Sequence, residues 1–222
     1  MSTLIEKISE CVENGKVNLA SPYPPQMKGQ PGADELTRQA LDEGVPPGDI
    51  LNLGLVAAMN RVGQKYTENK IFVPQMLLSA KAMSASMAHL KPFFQSGEVQ
   101  RKGVLVMGTV MGDLHDIGKN LCCMMVEGAG WEVIDLGVDV KPEQFVAALD
   151  QHPNAVIGLS ALLTTTMVNM GNIITTVRQK YPDTKVAVGG APVNNDFAKS
   201  IGANGYGKDP QEFIIWLNSC VA

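Results

Sequence analysis

Apolar residues in the first part of the chain recur three or four positions apart, which is the spacing of an amphipathic helix. The same spacing predicts further helices over about 33–43, 47–66 and 74–90, with glycine or proline near each break. The first helix ends at Asn14-Gly15 and contains four such positions, Leu4, Ile5, Ile8 and Val12. Four helices joined by short links predict an antiparallel bundle.

The link between the first two helices is longer than the others. Residues 17–32 include Pro22, Pro24, Pro25 and Pro31. Proline lacks an amide hydrogen and clashes with the preceding helical turn, so this segment is predicted to be a loop. Its role is open between a contact surface for a partner and an inert insertion, which surface loops tolerate well.

From Gly103 onward, short apolar runs alternate with helical stretches, and a weaker fifth unit runs from Gly202 to Val221. The four clear runs are 104–107, 133–136, 155–159 and 185–188. Alternating strands and helices imply right-handed crossovers and a parallel sheet covered on both faces.

The two patterns divide the chain into a predicted N-terminal all-α part and a C-terminal α/β part. We predict a four-helix bundle over 1–94, a linker over 95–102 and a flavodoxin-like domain with a five-stranded parallel sheet over 103–222.

Composition excludes several classes of function. The net charge is −4 with acidic and basic residues interleaved, so there is no basic stripe to bind nucleic acid. Neither an apolar leader nor an apolar run of membrane-spanning length is present, which disfavours secretion and membrane insertion. The four cysteines form no C-x-x-C pair. We expect them to be reduced and mostly buried, as in a cytoplasmic protein.

Ligands of such a sheet bind beyond the carboxyl ends of its strands, where the strand order reverses. For the order 2-1-3-4-5 this point lies between the first and third strands. The loops that follow these strands are 112–120 and 160–166. We therefore expect Asp113, His115 and Ser160 to face one crevice.

His115 is one of three histidines, so a metal site built from several imidazoles is excluded. A lone histidine at a loop-to-helix junction is more often structural than functional. However, a macrocycle that supplies four nitrogens to its metal needs only one axial ligand from the protein. Asp113 could then accept the other ring N–H and fix the tautomer. Ser160 could hydrogen-bond to that carboxylate.

Three sequence elements resemble a known signature in their order and separation. Asp113-x-His115-x-x-Gly118, Ser160-x-Leu162 and Gly189-Gly190 are similar to the motifs of the cobalamin-binding domains of methionine synthase and of corrinoid methyltransferase proteins. The resemblance implies a cobalamin or related corrinoid cofactor, with His115 as the axial ligand of cobalt in place of the cofactor's own base. Asp113 and Ser160 would act with His115 as a proton relay.

The resemblance also implies where the rest of the cofactor binds. Gly118 and Gly189-Gly190 would leave room for the nucleotide tail, although a glycine pair by itself is also typical of a tight turn. Thr164 matches a position that contacts the tail, and Gly205-Tyr206 lie where the base should end. The remaining expected cofactor contacts are Gly112, Leu114, Asp116 and Ile117.

The helical part resembles the bundle that caps the upper face of the corrin in the same proteins. Tyr66 and Val73 stand where methionine synthase has a phenylalanine and a leucine that shield the methyl group. These replacements keep an apolar cover and change its detailed shape.

The function implied by the resemblance is a methyl carrier that is not catalytic by itself. Co(I) would accept a methyl group through a donor-specific methyltransferase, and methyl-Co(III) would deliver it through a second methyltransferase to tetrahydrofolate or a thiol cofactor. A reductive activator would be a further partner. The methyl donor stays open among methanol, methylamines, methoxylated aromatics and betaines.

Two other interpretations follow from the same cofactor. A cobalamin-sensing regulator would need a DNA-binding domain, for which the chain has neither the length nor the charge. A small subunit of an adenosylcobalamin mutase would resemble only the C-terminal half and would lack the helical bundle.

Overall fold

The structure is a computed structural model that describes residues 3–221. The chain folds into two compact units. The first ends at Arg101 and also includes Gly128–Gly130, and the second contains Lys102–Glu127 and the chain from Trp131 onward. This arrangement confirms the predicted fold class, an all-α part followed by an α/β part.

The first unit is helical. Its helices are α1 (Thr3–Asn14), α2 (Ala33–Asp42), α3 (Pro47–Asp49), α4 (Ala57–Thr67) and α5 (Val73–Gln95). A π-helical stretch, Ile50–Val56, joins α3 to α4, so the predicted third helix is interrupted by wider turns. The predicted loop over 17–32 contains only a short 3₁₀ turn, Pro25–Met27.

Helix α1 is the centre of the first unit, because α2, α4, α5 and the π-helical stretch all pack against it. Its apolar face, including Ile8 and Val12, is fully buried. Its polar face carries Glu13, which accepts hydrogen bonds from Arg61 Nε at 2.7 Å and Lys65 Nζ at 2.5 Å. Glu35 holds both ends of the 17–32 loop, because its carboxylate accepts hydrogen bonds from the amides of Leu19 and Gly32.

The second unit contains a parallel sheet with strand order β2-β1-β3-β4-β5, as predicted. Its strands are β1 (Val104–Thr109), β2 (Glu132–Asp135), β3 (Val156–Ser160), β4 (Val186–Gly189) and β5 (Gly205–Gly207). The strands are short, and β1 to β4 are rich in β-branched residues. The central strands are buried on both faces. This pattern is typical of a parallel sheet covered by helices.

Six helices follow the strands. They are α6 (Ile117–Gly128), α7 (Pro142–Gln151), α8 (Thr164–Met167), α9 (Asn169–Lys180), α10 (Asn195–Ser200) and α11 (Pro210–Ser219). On one face of the sheet, Phe145 of α7 and Ile173 of α9 pack on Val106 and Ile157 in a fully buried core.

Two further sequence predictions concern cysteines and membranes. Cys11, Cys122 and Cys123 are buried free thiols, and Cys220 is a half-buried one. No helix within residues 3–221 combines the length and the apolarity that crossing a bilayer requires.

Candidate functional site

The site is formed by the loops that leave the carboxyl ends of β1 and β3. These strands are neighbours, and Thr109 at the end of β1 pairs in register with Ser160 at the end of β3. The backbone N–H of Val110 then donates to the carbonyl of Ser160 at 3.0 Å. The two loops therefore begin side by side, where the strand order reverses, as expected for a ligand site in this fold.

Asp113 is the centre of the loop after β1, and it is fully buried. One carboxylate oxygen, Oδ2, accepts from the hydroxyl of Thr166 at 2.6 Å and from the backbone amides of Leu162 at 2.8 Å and Leu163 at 3.3 Å. The other oxygen, Oδ1, accepts from His115, through its backbone N–H at 3.1 Å and its ring Nδ1 at 2.7 Å.

These donors decide the protonation state of Asp113. Burial alone would raise the pKa of the carboxyl group, but the hydrogen bonds from Thr166, Leu162 and His115 outweigh it and hold the pKa well below its usual range. Asp113 is therefore ionised and can only accept hydrogen bonds. The Nδ1 atom of His115 must then carry a hydrogen, so in the neutral imidazole the lone pair is on Nε2.

His115 is held on both its backbone and its ring. The hydroxyl of Thr109 donates to its carbonyl oxygen at 2.9 Å, and Asp113 holds Nδ1. The side chain is about half exposed, at 51%. Within residues 3–221 no hydrogen bond reaches Nε2. An oriented imidazole with one nitrogen hydrogen-bonded to a carboxylate and the other free is the donor set of an axial metal ligand.

The hydroxyl group that binds Asp113 corrects one prediction. Ser160 was expected to donate this hydrogen bond, but Thr166 donates it instead. Ser160 is the last residue of β3, and its carbonyl is engaged by Val110. After β3 the chain forms one turn, in which the amide of Thr166 donates to the carbonyl of Leu163. This turn brings the hydroxyl of Thr166 to the carboxylate of Asp113. A role for Ser160 in a proton relay stays a prediction.

Gly118 and Gly190 differ in whether the fold itself requires a glycine at that position. A Cβ atom at Gly118, in the first turn of α6, would meet nothing within 4 Å, so packing does not require glycine there. A Cβ atom at Gly190 would lie 1.9 Å from the carbonyl oxygen of Ala161, and its φ of +121° is in the region that favours glycine. The open space at Gly118 fits a ligand that needs close access to the backbone.

Of the other predicted tail contacts, Gly189 and Thr164 lie at the carboxyl edge of the sheet, whereas Gly205 is at the start of β5, where it pairs with Ala187. Gly189 ends β4 beside Ser160, and Thr164 is exposed at the start of α8. Gly205 of β5 is required by packing, because a Cβ atom there would lie 2.3 Å from the ring of Trp216. Tyr206 is half-buried next to it. Contacts of these residues with the cofactor stay predictions.

Exposed apolar side chains surround His115. Leu114 and Ile117 flank it in sequence and are 71% and 76% exposed, and Leu162 and Leu163 from the neighbouring loop are more than 40% exposed. Large apolar groups clustered at one edge in this way mark a binding surface. A broad, mostly apolar macrocycle fits these side chains, and the unbonded Nε2 atom of His115 lies on the same loop.

The sequence prediction missed a buried ion pair beside this loop. Lys119, in the first turn of α6, is buried and donates to both carboxylate oxygens of Asp135 at the end of β2, at 2.6 and 2.5 Å. It also donates to Asn120 Oδ1, and Asn120 in turn donates to Asp116. The two residues lie 16 positions apart in different elements, so the sequence gives no local signal of this pairing.

Tyr66 and Val73 belong to the helical unit. Tyr66 lies near the end of α4 and is half-buried, and Val73 is the exposed first residue of α5. Their predicted contact with a bound methyl group stays a prediction.

Comparisons with known protein families identify the class to which this site belongs. A family model described as a B12 binding domain matches residues 103–214, which is the α/β unit. A second family model, also described as a B12 binding domain, matches residues 30–91 of the helical unit. The chain belongs to the family of B12-binding corrinoid proteins, and its cofactor is cobalamin or a related corrinoid.

Individual relatives resemble the chain over most of its length. A corrinoid protein of Desulfitobacterium hafniense (strain Y51) is 40% identical over 189 residues, which cover 83% of this chain and 88% of the relative. The trimethylamine corrinoid protein of Methanosarcina barkeri is 36% identical over 193 residues, covering 85% of this chain and 89% of that protein. A solved structure, the methanol:cobalamin methyltransferase complex from Methanosarcina barkeri, matches with a TM-score of 0.78 and 27% identity, covering 99% of this chain and 80% of that one.

Proposed function

We propose that this chain is the methyl carrier of a multi-component methyltransferase, and that His115 is the axial ligand of its corrinoid cobalt. The observation that carries the proposal is the geometry of His115. Its Nδ1 atom is fixed 2.7 Å from a fully buried carboxylate, while Nε2 is free beside an exposed apolar surface. When bound, the corrinoid supplies a cobalt ion that can accept a methyl group from one partner and donate it to another.

The residues of the chain prepare this chemistry in two ways. Asp113 orients the imidazole and increases its basicity by accepting the Nδ1 hydrogen. Thr166, Leu162 and Leu163 in turn hold the carboxylate, so the ring is oriented by a network that is complete before a ligand binds. Leu114 and Ile117 would exclude water from the lower face of the macrocycle.

The same network provides a path for a proton. Whenever Nε2 is not bound to the metal, the imidazole of His115 could take up a proton there, and the ionised Asp113, 2.7 Å from Nδ1, would stabilise the resulting cation. Ligation by His115 would thus be coupled to proton uptake. Thr166, whose hydroxyl already donates to Asp113, extends this path toward α8.

The proposed partners are two methyltransferases and a reductive activator. Relatives are named for trimethylamine and dimethylamine, and one solved relative is a complex with a methanol:cobalamin methyltransferase. These names support a donor-specific methyltransferase as one partner, which would select the methyl donor. The second methyltransferase would use tetrahydrofolate or a thiol as the methyl acceptor.

The test is reconstitution with cob(II)alamin of the full chain in which the histidines are labelled with 15N. We expect stoichiometric binding and an electron paramagnetic resonance spectrum with a 15N doublet from one histidine, distinct from the 14N triplet that the cofactor's own base would give. In His115→Ala this splitting should be lost, and affinity should fall about 10- to 100-fold. His89→Ala is the matched control, because its imidazole is bonded to Asp34 in the helical unit and should leave the spectrum unchanged. A 15N doublet that persists in His115→Ala would contradict the assignment of the ligand, whereas a 14N triplet would show that the cofactor's own base has taken the place of the histidine.

The carrier role needs a second measurement. After reduction, the cobalamin-loaded wild-type protein should take up a methyl group from an amine, methanol or a methoxylated aromatic when the matching donor methyltransferase is added. Binding of cobalamin without methyl uptake from any of these donors would indicate a corrinoid-binding protein with a different function.

A further inference from the structure

The loop that bears Asp113 and His115 is held by a second loop, which follows β2. The amide of Thr109 donates to the carbonyl of Gly137 at 3.0 Å, and the amide of Val140 donates back to the carbonyl of Thr109 at 2.9 Å. Val110 and Val140 form an isolated parallel bridge. The second loop therefore extends the sheet pairing beyond the end of β1, up to the start of the site.

Asp139 is the side chain through which the second loop reaches the site. Its carboxylate oxygen Oδ1 accepts from the backbone N–H of Gly112 at 2.7 Å, and its own N–H donates to the carbonyl of Asp113 at 3.0 Å. It thus binds both ends of the Gly112-Asp113 dipeptide. The loop after β3 holds the carboxylate of Asp113, whereas Asp139 holds the backbone that carries it.

The backbone of Asp139 is in an uncommon conformation. Its φ is +53°, one of two positive values for residues other than glycine within residues 3–221. Aspartate tolerates this region better than most residues, but glycine would occupy it with less strain. The presence of aspartate at a position with positive φ is explained when its side chain makes a specific contact. Here the contact is the hydrogen bond from the amide of Gly112.

We infer that Asp139 is a positioning residue that sets the Gly112–His115 loop for binding of the cobalt ion. It does not contact Nε2 of His115 and acts through the backbone of Gly112 and Asp113. A carboxylate that accepts from an amide forms a short and strong hydrogen bond, so it restricts the loop more than water would. A loop that is restricted before binding loses less entropy when the ligand binds.

This inference rests on the proposed role of His115 as the axial ligand. It goes beyond that role, because it assigns part of the positioning of His115 to the second loop, the one after β2, which carries none of the signature residues. Three substitutions of Asp139 separate the effect of its acceptor oxygen on cofactor binding from the effect of its positive φ. Asp139→Asn keeps an acceptor and tolerates the positive φ, Asp139→Gly relieves the φ and removes the acceptor, and Asp139→Ala removes the acceptor and keeps the strain.

The experiment measures cob(II)alamin bound to the full-length protein, by titration and by electron paramagnetic resonance. We expect Asp139→Gly, with 15N-labelled histidines, to weaken binding about tenfold and to lower the fraction of cobalt that shows the 15N doublet of a histidine ligand. Asp139→Asn should remain within about threefold of wild type in affinity and retain the splitting. Urea unfolding of each variant without cofactor shows whether a change in binding follows from a change in stability.

The outcomes are distinct. A loss in Asp139→Gly and Asp139→Ala that Asp139→Asn avoids, without a matching loss of stability in Asp139→Gly, supports the inference. Wild-type binding and splitting in Asp139→Gly would overturn it, as would an equal loss in all three variants. Since His115→Ala is measured beside them, a 15N doublet that persists in that variant would refute the proposed ligand and not the role of Asp139 in binding.

Discussion

The two units each hold a carboxylate that is anchored by several donors, yet only one of these anchors forms a candidate site. Glu13 in the helical unit accepts from Arg61 and Lys65, and Asp113 in the α/β unit accepts from Thr166, backbone amides and His115. In both, burial acts to raise the pKa, and hydrogen bonds outweigh it and lower it. The two carboxylates therefore have the same ionisation state.

The difference lies in the partners. The cations that pair with Glu13 have no lone pair to offer, so the network ends as a structural contact between helices α1 and α4. The partner of Asp113 is an imidazole, whose second nitrogen stays free to bind a metal. An ionised carboxylate that is held by several donors is thus weak evidence for function by itself. The evidence becomes stronger when the side chain bonded to it has another atom that is free to bind a ligand.

Removing the negative charge of Asp113 or of Glu13 should have very different effects on cofactor binding and stability, and the larger effects are expected at Asp113. Asp113→Asn should lower cob(II)alamin affinity about 10- to 100-fold, because the ring of His115 loses the acceptor that orients it. It should also lower the free energy of unfolding by about 2 kcal/mol, since an amide nitrogen would face one of the buried donors. Titration with cob(II)alamin and urea unfolding measure the two effects. Wild-type affinity in this variant would remove Asp113 from the site.

A second pair of variants separates the needs of the fold from those of the ligand. Gly190→Ala should cost about 3 kcal/mol of stability, because of the positive φ and the clash with Ala161. Gly118→Ala should keep or raise stability by up to about 1 kcal/mol, since alanine favours the helix, and should weaken cobalamin binding about tenfold. Thermal unfolding and corrinoid titration check both variants. If Gly118→Ala binds cobalamin like wild type, the cofactor does not approach the backbone there.

The third prediction uses pH. The pKa of Asp113 is lowered in the folded protein, so its ionised form stabilises the fold above the unfolded pKa of about 3.9. This contribution is lost as the pH falls from about 5 toward the lower pKa of the folded state. The difference in unfolding free energy between wild type and Asp113→Asn should therefore be smaller at pH 3 than at pH 6, as measured by urea titration. An equal difference at both pH values would mean that Asp113 has no lowered pKa.

The smallest effect is expected in the helical unit. Arg61 and Lys65 are more than 40% exposed, so solvent screens their attraction to Glu13. Glu13→Gln should cost less than about 1 kcal/mol in urea unfolding and should leave the cob(II)alamin spectrum unchanged. A changed spectrum would show that this network influences the cofactor and would weaken the contrast between the two units.

The sequence predicted the architecture well, because the fold depends on local and repetitive signals. Short apolar runs located β1 to β4 to within about two residues, and their alternation with helices implied a parallel sheet, whereas the strand order was implied by the resemblance to flavodoxin. The motif also placed His115 beside Asp113, two residues apart on one loop. Interruptions such as the π-helical stretch over Ile50–Val56 left no comparable signal in the spacing of apolar residues.

The parts that sequence missed are contacts between distant loops. Four hydroxyl residues lie in Ser160–Thr166, and the turn at Leu163 decides that Thr166 reaches Asp113. The bonds from Lys119 to Asp135 and from Gly112 to Asp139 join residues 16 and 27 positions apart. No periodicity reports such pairs, because they depend on how neighbouring loops leave the sheet.

The fixed tautomer of His115 also makes its free nitrogen a nucleophile of unusual accessibility. Reagents that acylate imidazoles, such as diethyl pyrocarbonate, attack an unprotonated ring nitrogen, and Nε2 of His115 offers one on a half-exposed side chain. His89, whose Nε2 lies 2.6 Å from a carboxylate oxygen of Asp34, offers less. The nitrogen proposed as the metal ligand is therefore also the atom at which electrophiles would inactivate the protein, and a bound corrinoid would protect it from them.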